Sequence, residues 1–212
     1  DEFVRSGWEL KHLHRLILTS AVYRQSATDD GRAAKDEEID DVNAEGSSST
    51  LTFSPADLFG RAPLRRLDAE TVRDSMLAVS GALDLDSAGG PGFSAFAVDM
   101  ENVRHYHPKE NYGPEDWRRM IYMTKVRQEK DTVFGAFDCP DASMVVPQRS
   151  RSTTPLQALN LLNSRFVMQQ AELFAKRLET EAAAPADQII RAWRLCFQRD
   201  PDAAEIAVSQ RF

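Results

Sequence analysis

The sequence predicts a mainly α-helical fold: a single helical domain of about five to six helices, with a loop-rich middle and a small two- or three-stranded β element near Tyr122. Three observations carry that prediction. Apolar residues recur at helical spacing in several windows. Residues suited to helix ends flank those windows, among them Asp68, Gly81, Thr154-Pro155 and Asp200-Pro201. Between them, proline, glycine and aspartate break every longer pattern from Leu85 to Arg149.

In "WELKHLHRLILTSAVYRQ", Leu10, Leu13, Leu16, Ile17, Leu18 and Ala21 fall on one broad arc at about 100° per residue. Lys11, His12, Arg15 and Thr19 face away. A stretch at about 28–50 follows, with eight acids against only Arg32 and Lys35, ending in "EGSSST". It has too few large apolar residues to offset the entropy of ordering, so it reads as a mobile acidic insertion or as a partner-binding arm. The next helix opens near Asp68, joins Val72, Met76, Val79 and Leu83, and stops around Gly81 or soon after. "LDSAGGPGFSAF" is turn-rich, and "RRMIYMTKV" fits a short strand or a helix equally well. A short helix at about Thr132 to Phe137 runs into the turn "DCPDAS".

The longest helix begins at Pro155. Thr154 suits the N-cap, Pro155 the first helical position, and Gln157 the place of a capping-box partner. Leu159, Leu162, Phe166 and Leu173 share a face, and the pattern persists to about Leu178 with a bend at Asn163-Ser164. After "EAAAPAD" another helix joins Ile189, Ala192, Trp193, Cys196 and Phe197, and Asp200-Pro201 opens the last.

With 42% hydrophobic and 28% charged residues, the composition is that of a globular protein, and no apolar run is long enough for a membrane span. The formal net charge of −7 argues against a general nucleic-acid binder, which needs a basic surface. Only Cys139 and Cys196 occur, with no C-x-x-C, so zinc-ribbon, thioredoxin-like and locally attached haem sites are excluded and this chain itself holds no cofactor motif. The chain opens at Asp1 and closes at Phe212 within a helical pattern, which reads as a fragment of a larger protein.

Polar residues interrupt the apolar arcs. Asn163 falls near the middle of its arc, Asn160 and Gln170 lie within or beside it, and His14 and Arg24 occupy the apolar side of the first helix. A buried amide or imidazole without a partner costs about 1–3 kcal/mol, so these residues predict either a structural hydrogen-bond network or a polar ligand pocket. Arg149 and Arg151 precede a helix start, where they would meet an anion or pair with acids. His105 and His107 form an H-x-H that on a strand would present both rings to one face, as metal ligands or as surface histidines. "GGPG" lacks the lysine and spacing of a phosphate cradle. Cys196, on an apolar stripe, reads as a small buried hydrophobe.

Five stretches, taken in order, carry a family resemblance: "SGWELKHLHRLILTSAVYRQS", "RRLDAETVRDSMLAVSGALD", "RRMIYM", "FDCPD" and "RSTTPLQALNLLNSRFVMQQA". Together they resemble the planctomycete-type domain of unknown function that commonly closes large secreted proteins, often with a planctomycete-type cytochrome c module upstream. The resemblance implies an extracytoplasmic, periplasmic or secreted, multidomain protein, a neighbouring domain as partner, and haem only in a separate upstream module. It brings no catalytic residues. The function it suggests is an interaction or structural module packing on its neighbour; the alternative is part of an extracytoplasmic enzyme with a polar pocket around His14, Arg24 and Asn163.

Overall fold

The computed structural model describes residues 1–24, 65–127, 129, 133–140 and 142–211. The acidic stretch at 28–50 lies outside the described residues. Contacts divide the chain into two units, Asp1–Arg65 and Arg66–Phe212. The architecture is mainly α, with seven α-helices and one two-stranded sheet among the described residues.

In the first unit, α1 (Glu2–Arg5) and α2 (Leu10–Thr19) are joined through Gly7 and Trp8, both at positive φ. The Trp8 ring then stands edge-on to Phe3 at 5.1 Å. Ser20 closes α2: its N–H and hydroxyl both donate to the Ile17 carbonyl, at 3.1 and 2.7 Å. No residue of α1 or α2 is buried, and Leu10, Leu16, Ile17 and Leu18 are exposed.

Among the described residues, every buried hydrophobic side chain lies in the second unit. Its first helix, α3 (Ala69–Ser80), starts where Asp68 accepts from the Thr71 N–H and ends at Gly81, whose φ of +82° only glycine adopts without strain. The buried side of α3 is Ala69, Arg73, Leu77 and Ser80, so a charged residue and a hydroxyl occupy two of its four innermost positions. Val72 and Met76 pack at its margin. Strands β1 (Phe96–Met100) and β2 (Arg104–Pro108) form an antiparallel hairpin pairing Phe96 with Pro108 and Asp99 with His105. The β element therefore lies ahead of Tyr122. Tyr122 itself ends a 3₁₀ turn, Met120–Tyr122, and only isolated bridges flank it, Asp84 to Arg118 and Phe93 to Met123. Thus "RRMIYMTKV" is neither a strand nor an α-helix. A 3₁₀ turn at Phe134–Phe137 ends on Asp138 in the left-handed conformation.

The helix at Pro155 begins as its sequence predicts, the Thr154 N–H donating to Gln157 Oε1. It does not run on. Ser164, at φ −71° and ψ 127°, ends α4 (Pro155–Asn163) and caps α5 (Arg165–Glu181), accepting from the Val167 N–H through its hydroxyl. The corner turns Phe166 into the core, where its ring meets Phe134 and Tyr112 edge-on at 5.6 and 5.3 Å. Leu77, Phe93, Phe96, Met120, Met123, Val133 and Phe137 complete that core. After α5 come α6 (Pro185–Phe197) and α7 (Ala203–Ser209), the latter opened by a reciprocal Asp202–Glu205 capping box. Cys196 is exposed on α6, which corrects its assignment as a buried hydrophobe.

Candidate functional site

Three polar clusters organise the second unit. At its centre the Arg73 guanidinium lies between the rings of Phe93 and Phe166, 4.8 and 5.2 Å from their centroids. It donates to the carbonyls of Arg118, at 2.8 Å, and of Asp116. Asp116 is itself buried, its carboxylate taking Lys109 Nζ at 2.5 Å and the Gly113 N–H at 3.1 Å. These bonds consume both charges in fixing the loop 109–118 against α3.

In a second cluster, the Asp138 carboxylate accepts from Arg66 at 2.5 Å and from the Ser152 N–H at 2.7 Å. The Ser152 N–H foremost, then its hydroxyl and Arg66, hold that carboxyl below the usual aspartate range against the opposing effect of partial burial. Buried Gln157 extends the cluster by donating to the carbonyls of Ala136 and Ser152, both at 3.0 Å. At the third, Arg177 on α5 donates to the carbonyls of Ala78 and Val79, at 3.0 and 2.8 Å, and so closes the end of α3. Buried Gln170 accepts from the Ser80 hydroxyl at 2.7 Å, in agreement with its place beside the apolar arc. Sequence patterning misses Arg73 and Asp116 because charged residues count as outward-facing; their only signal is the helical register of Arg73 with Ala69 and Leu77.

The asparagines behave differently. Asn163 is exposed and its amide donates to the Leu159 carbonyl of its own helix at 2.9 Å. The arc it interrupts faces outward, with Leu156, Leu159 and Leu162 at 56, 54 and 74% exposure, while Gln157, half-buried Leu161 and Ser164 face the core. His14 and Arg24 are exposed as well, in the first unit. The buried network predicted around His14 and Asn163 is therefore not present; the leucines between the asparagines define a surface, and a surface amide is satisfied by water.

Beside this face, half-buried Asn160 and exposed Asn163 line a concavity of about 430 Å³ together with Pro108, Lys109, Tyr112 and Arg165. Its loop wall is pinned: the Lys109 N–H donates to the Ala95 carbonyl, and Gln169 Nε2 donates to the Tyr112 carbonyl at 2.9 Å. The structure thus joins the two asparagines with part of the loop from His105 to Tyr112. It places the remaining candidates elsewhere. Arg149 makes a two-pronged pair with Glu70 at 2.8 and 3.0 Å, which raises it above the usual arginine value, and exposed Arg151 precedes the cap. His105 and His107 share the exposed face of β2, with His107 Nε2 3.5 Å from Asp99. Among the described residues no group of three or more His, Cys, Asp or Glu side chains is arranged to hold a metal ion, and no helix is long and apolar enough to cross a membrane.

The combination of an outward leucine face with a pinned, amide-lined concavity suits contact with another surface. No curated protein and no solved structure matches the chain. A family model does match it, from residue 1 to residue 212, and the chain belongs to that family: PSD1, protein of unknown function (DUF1553).

Proposed function

We propose that the chain is an interaction module that packs through the outer face of α4 on a neighbouring domain of an exported, planctomycete-type multidomain protein. The observation that carries this reading is the position of Leu156, Leu159 and Leu162 on successive turns of one short helix, each more than half exposed. Burying three leucines yields roughly 1.5–3 kcal/mol apiece, enough to hold two tethered surfaces together. Asn163, central in that face, would set register, as a single amide does among the apolar positions of a helix pair. In this arrangement the chain supplies surface and no cofactor, haem belonging to a separate upstream module, and the protein works outside the cytoplasm.

Carbene footprinting of the full-length parent protein against this chain alone tests the proposal. Leu156, Leu159 and Leu162 are expected to be labelled strongly in the chain and weakly in the parent, and Leu159→Asp in the parent to restore labelling of the other two. Equal labelling in both forms would refute it. A second reading, part of an extracytoplasmic enzyme with a polar pocket at Asn163, is supported by the concavity at Asn160 and Asn163. It requires small ligands to perturb the side-chain amide resonances of Asn160 and Asn163, and unchanged resonances would rule it out.

A further inference from the structure

Cys139 and Lys125 meet on two separately fixed segments. Lys125 follows Thr124, whose N–H donates to the Phe93 carbonyl at 2.7 Å. Cys139 follows Asp138, which Arg66 and Ser152 clasp. The half-buried Cys139 is a free thiol, and its sulfur lies 3.0 Å from Lys125 Nζ. Both side chains line a small recess, walled by Phe96, Met123, Gly135 and Pro140, with about 20 Å³ of free space. That is room for one water-sized molecule, and hydrogen peroxide is only slightly larger. A thiol and a primary amine held in contact beside such a space can do what neither does alone.

We propose that Cys139 and Lys125 form a peroxide-responsive modification site that closes a reversible sulfur–nitrogen link. The Cys139 sulfur attacks one peroxide oxygen, forming an S–O bond and breaking the O–O bond. Hydroxide leaves and takes the thiol proton as water; sulfur is oxidised by two electrons and peroxide is reduced. The oxygen now on sulfur keeps its peroxide hydrogen, so the product is a sulfenic acid, and the lysine ammonium releases one proton to solvent, leaving a neutral amine against it. The amine nitrogen then attacks sulfur, the S–O bond breaks, and the oxygen departs with its own hydrogen and one from the amine as a second water. The product is a sulfenamide between residues 125 and 139, which two equivalents of an added thiol return to thiol and amine.

The test treats the folded chain, in a Cys196→Ser background, with hydrogen peroxide with and without dimedone, and maps peptides by mass spectrometry. The expected result is a linked Lys125–Cys139 peptide lighter by two hydrogens, lost on adding dithiothreitol, with little dimedone on Cys139. In Lys125→Met the linked peptide should vanish and the dimedone adduct should appear. Equal dimedone labelling of Cys139 with and without Lys125, or a Cys139 that peroxide leaves unmodified, would overturn the proposal. Lys125 is exposed and touches no core residue's hydrogen bonds, so the variant keeps the fold needed for the comparison.

Discussion

Arg73 brings a full charge into the middle of the core, where two aromatic rings and two backbone carbonyls receive it. Replacing it with methionine fills much of the volume but leaves those carbonyls without a donor and Asp116 without its neighbour's support. The expected loss is about 3 kcal/mol, read from the urea midpoint, and Arg73→Lys should recover less than half of it because an ammonium cannot reach both carbonyls in one plane. Asn163→Leu, in contrast, should change stability by no more than about 0.5 kcal/mol, since its amide bonds only within its own turn. Buried Gln157→Leu should cost about 1–3 kcal/mol by orphaning the carbonyls of Ala136 and Ser152. The contrast shows what could be read from the chain and what could not. Thr154, Pro155 and Gln157 announced a helix start because capping is local chemistry. The destination of Gln157's other amide hydrogens was not legible, since Ala136 lies far away in the sequence.

Element ends were the most legible feature and element faces the least. Asp68 and Gly81 bracket α3, the first by its carboxylate cap and the second by its backbone freedom at positive φ, yet the innermost line of that helix runs through Arg73 and Ser80 and only the margin through Val72 and Met76. On α4 the wheel correctly groups Leu159, Leu162 and Asn163. It cannot say which side of the chain lies behind them, because a docking face and a core face have the same composition. Gly81→Ala should cost about 1 kcal/mol by thermal melting: the residue sits at φ +82° and a Cβ would stand 3.3 Å from Arg177 Cδ. Arg177→Leu should cost a similar amount through the released carbonyls of α3. The two losses should not add, since both act through the same contact.

At the scale of the molecule, every buried hydrophobic side chain among the described residues lies between Ala69 and Phe166. Residues 66–212 made alone should therefore melt cooperatively, and a gradual, non-cooperative melt by near-UV circular dichroism would contradict that expectation. Acid should weaken the fold in a defined direction. Asp68 and Asp138 have carboxyls held below their ordinary values, and Glu205, beside Arg199, is held at about 2. Groups depressed in this way stabilise fully above their unfolded values and lose that contribution as pH falls through the folded ones. Asp138→Asn, which keeps the size and the left-handed backbone, should thus melt below the natural protein at pH 7 and approach it towards pH 2. The serine at the corner between α4 and α5 has one more implication. Because a single residue both stops one rod and starts the next, removing or adding one amino acid just ahead of it would rotate the leucines about 100° around the rod while leaving the larger helix seated. The same rotation would carry buried Gln157 off the Ala136 and Ser152 carbonyls, so the outer face of the rod and that inner anchor can only be re-aimed together.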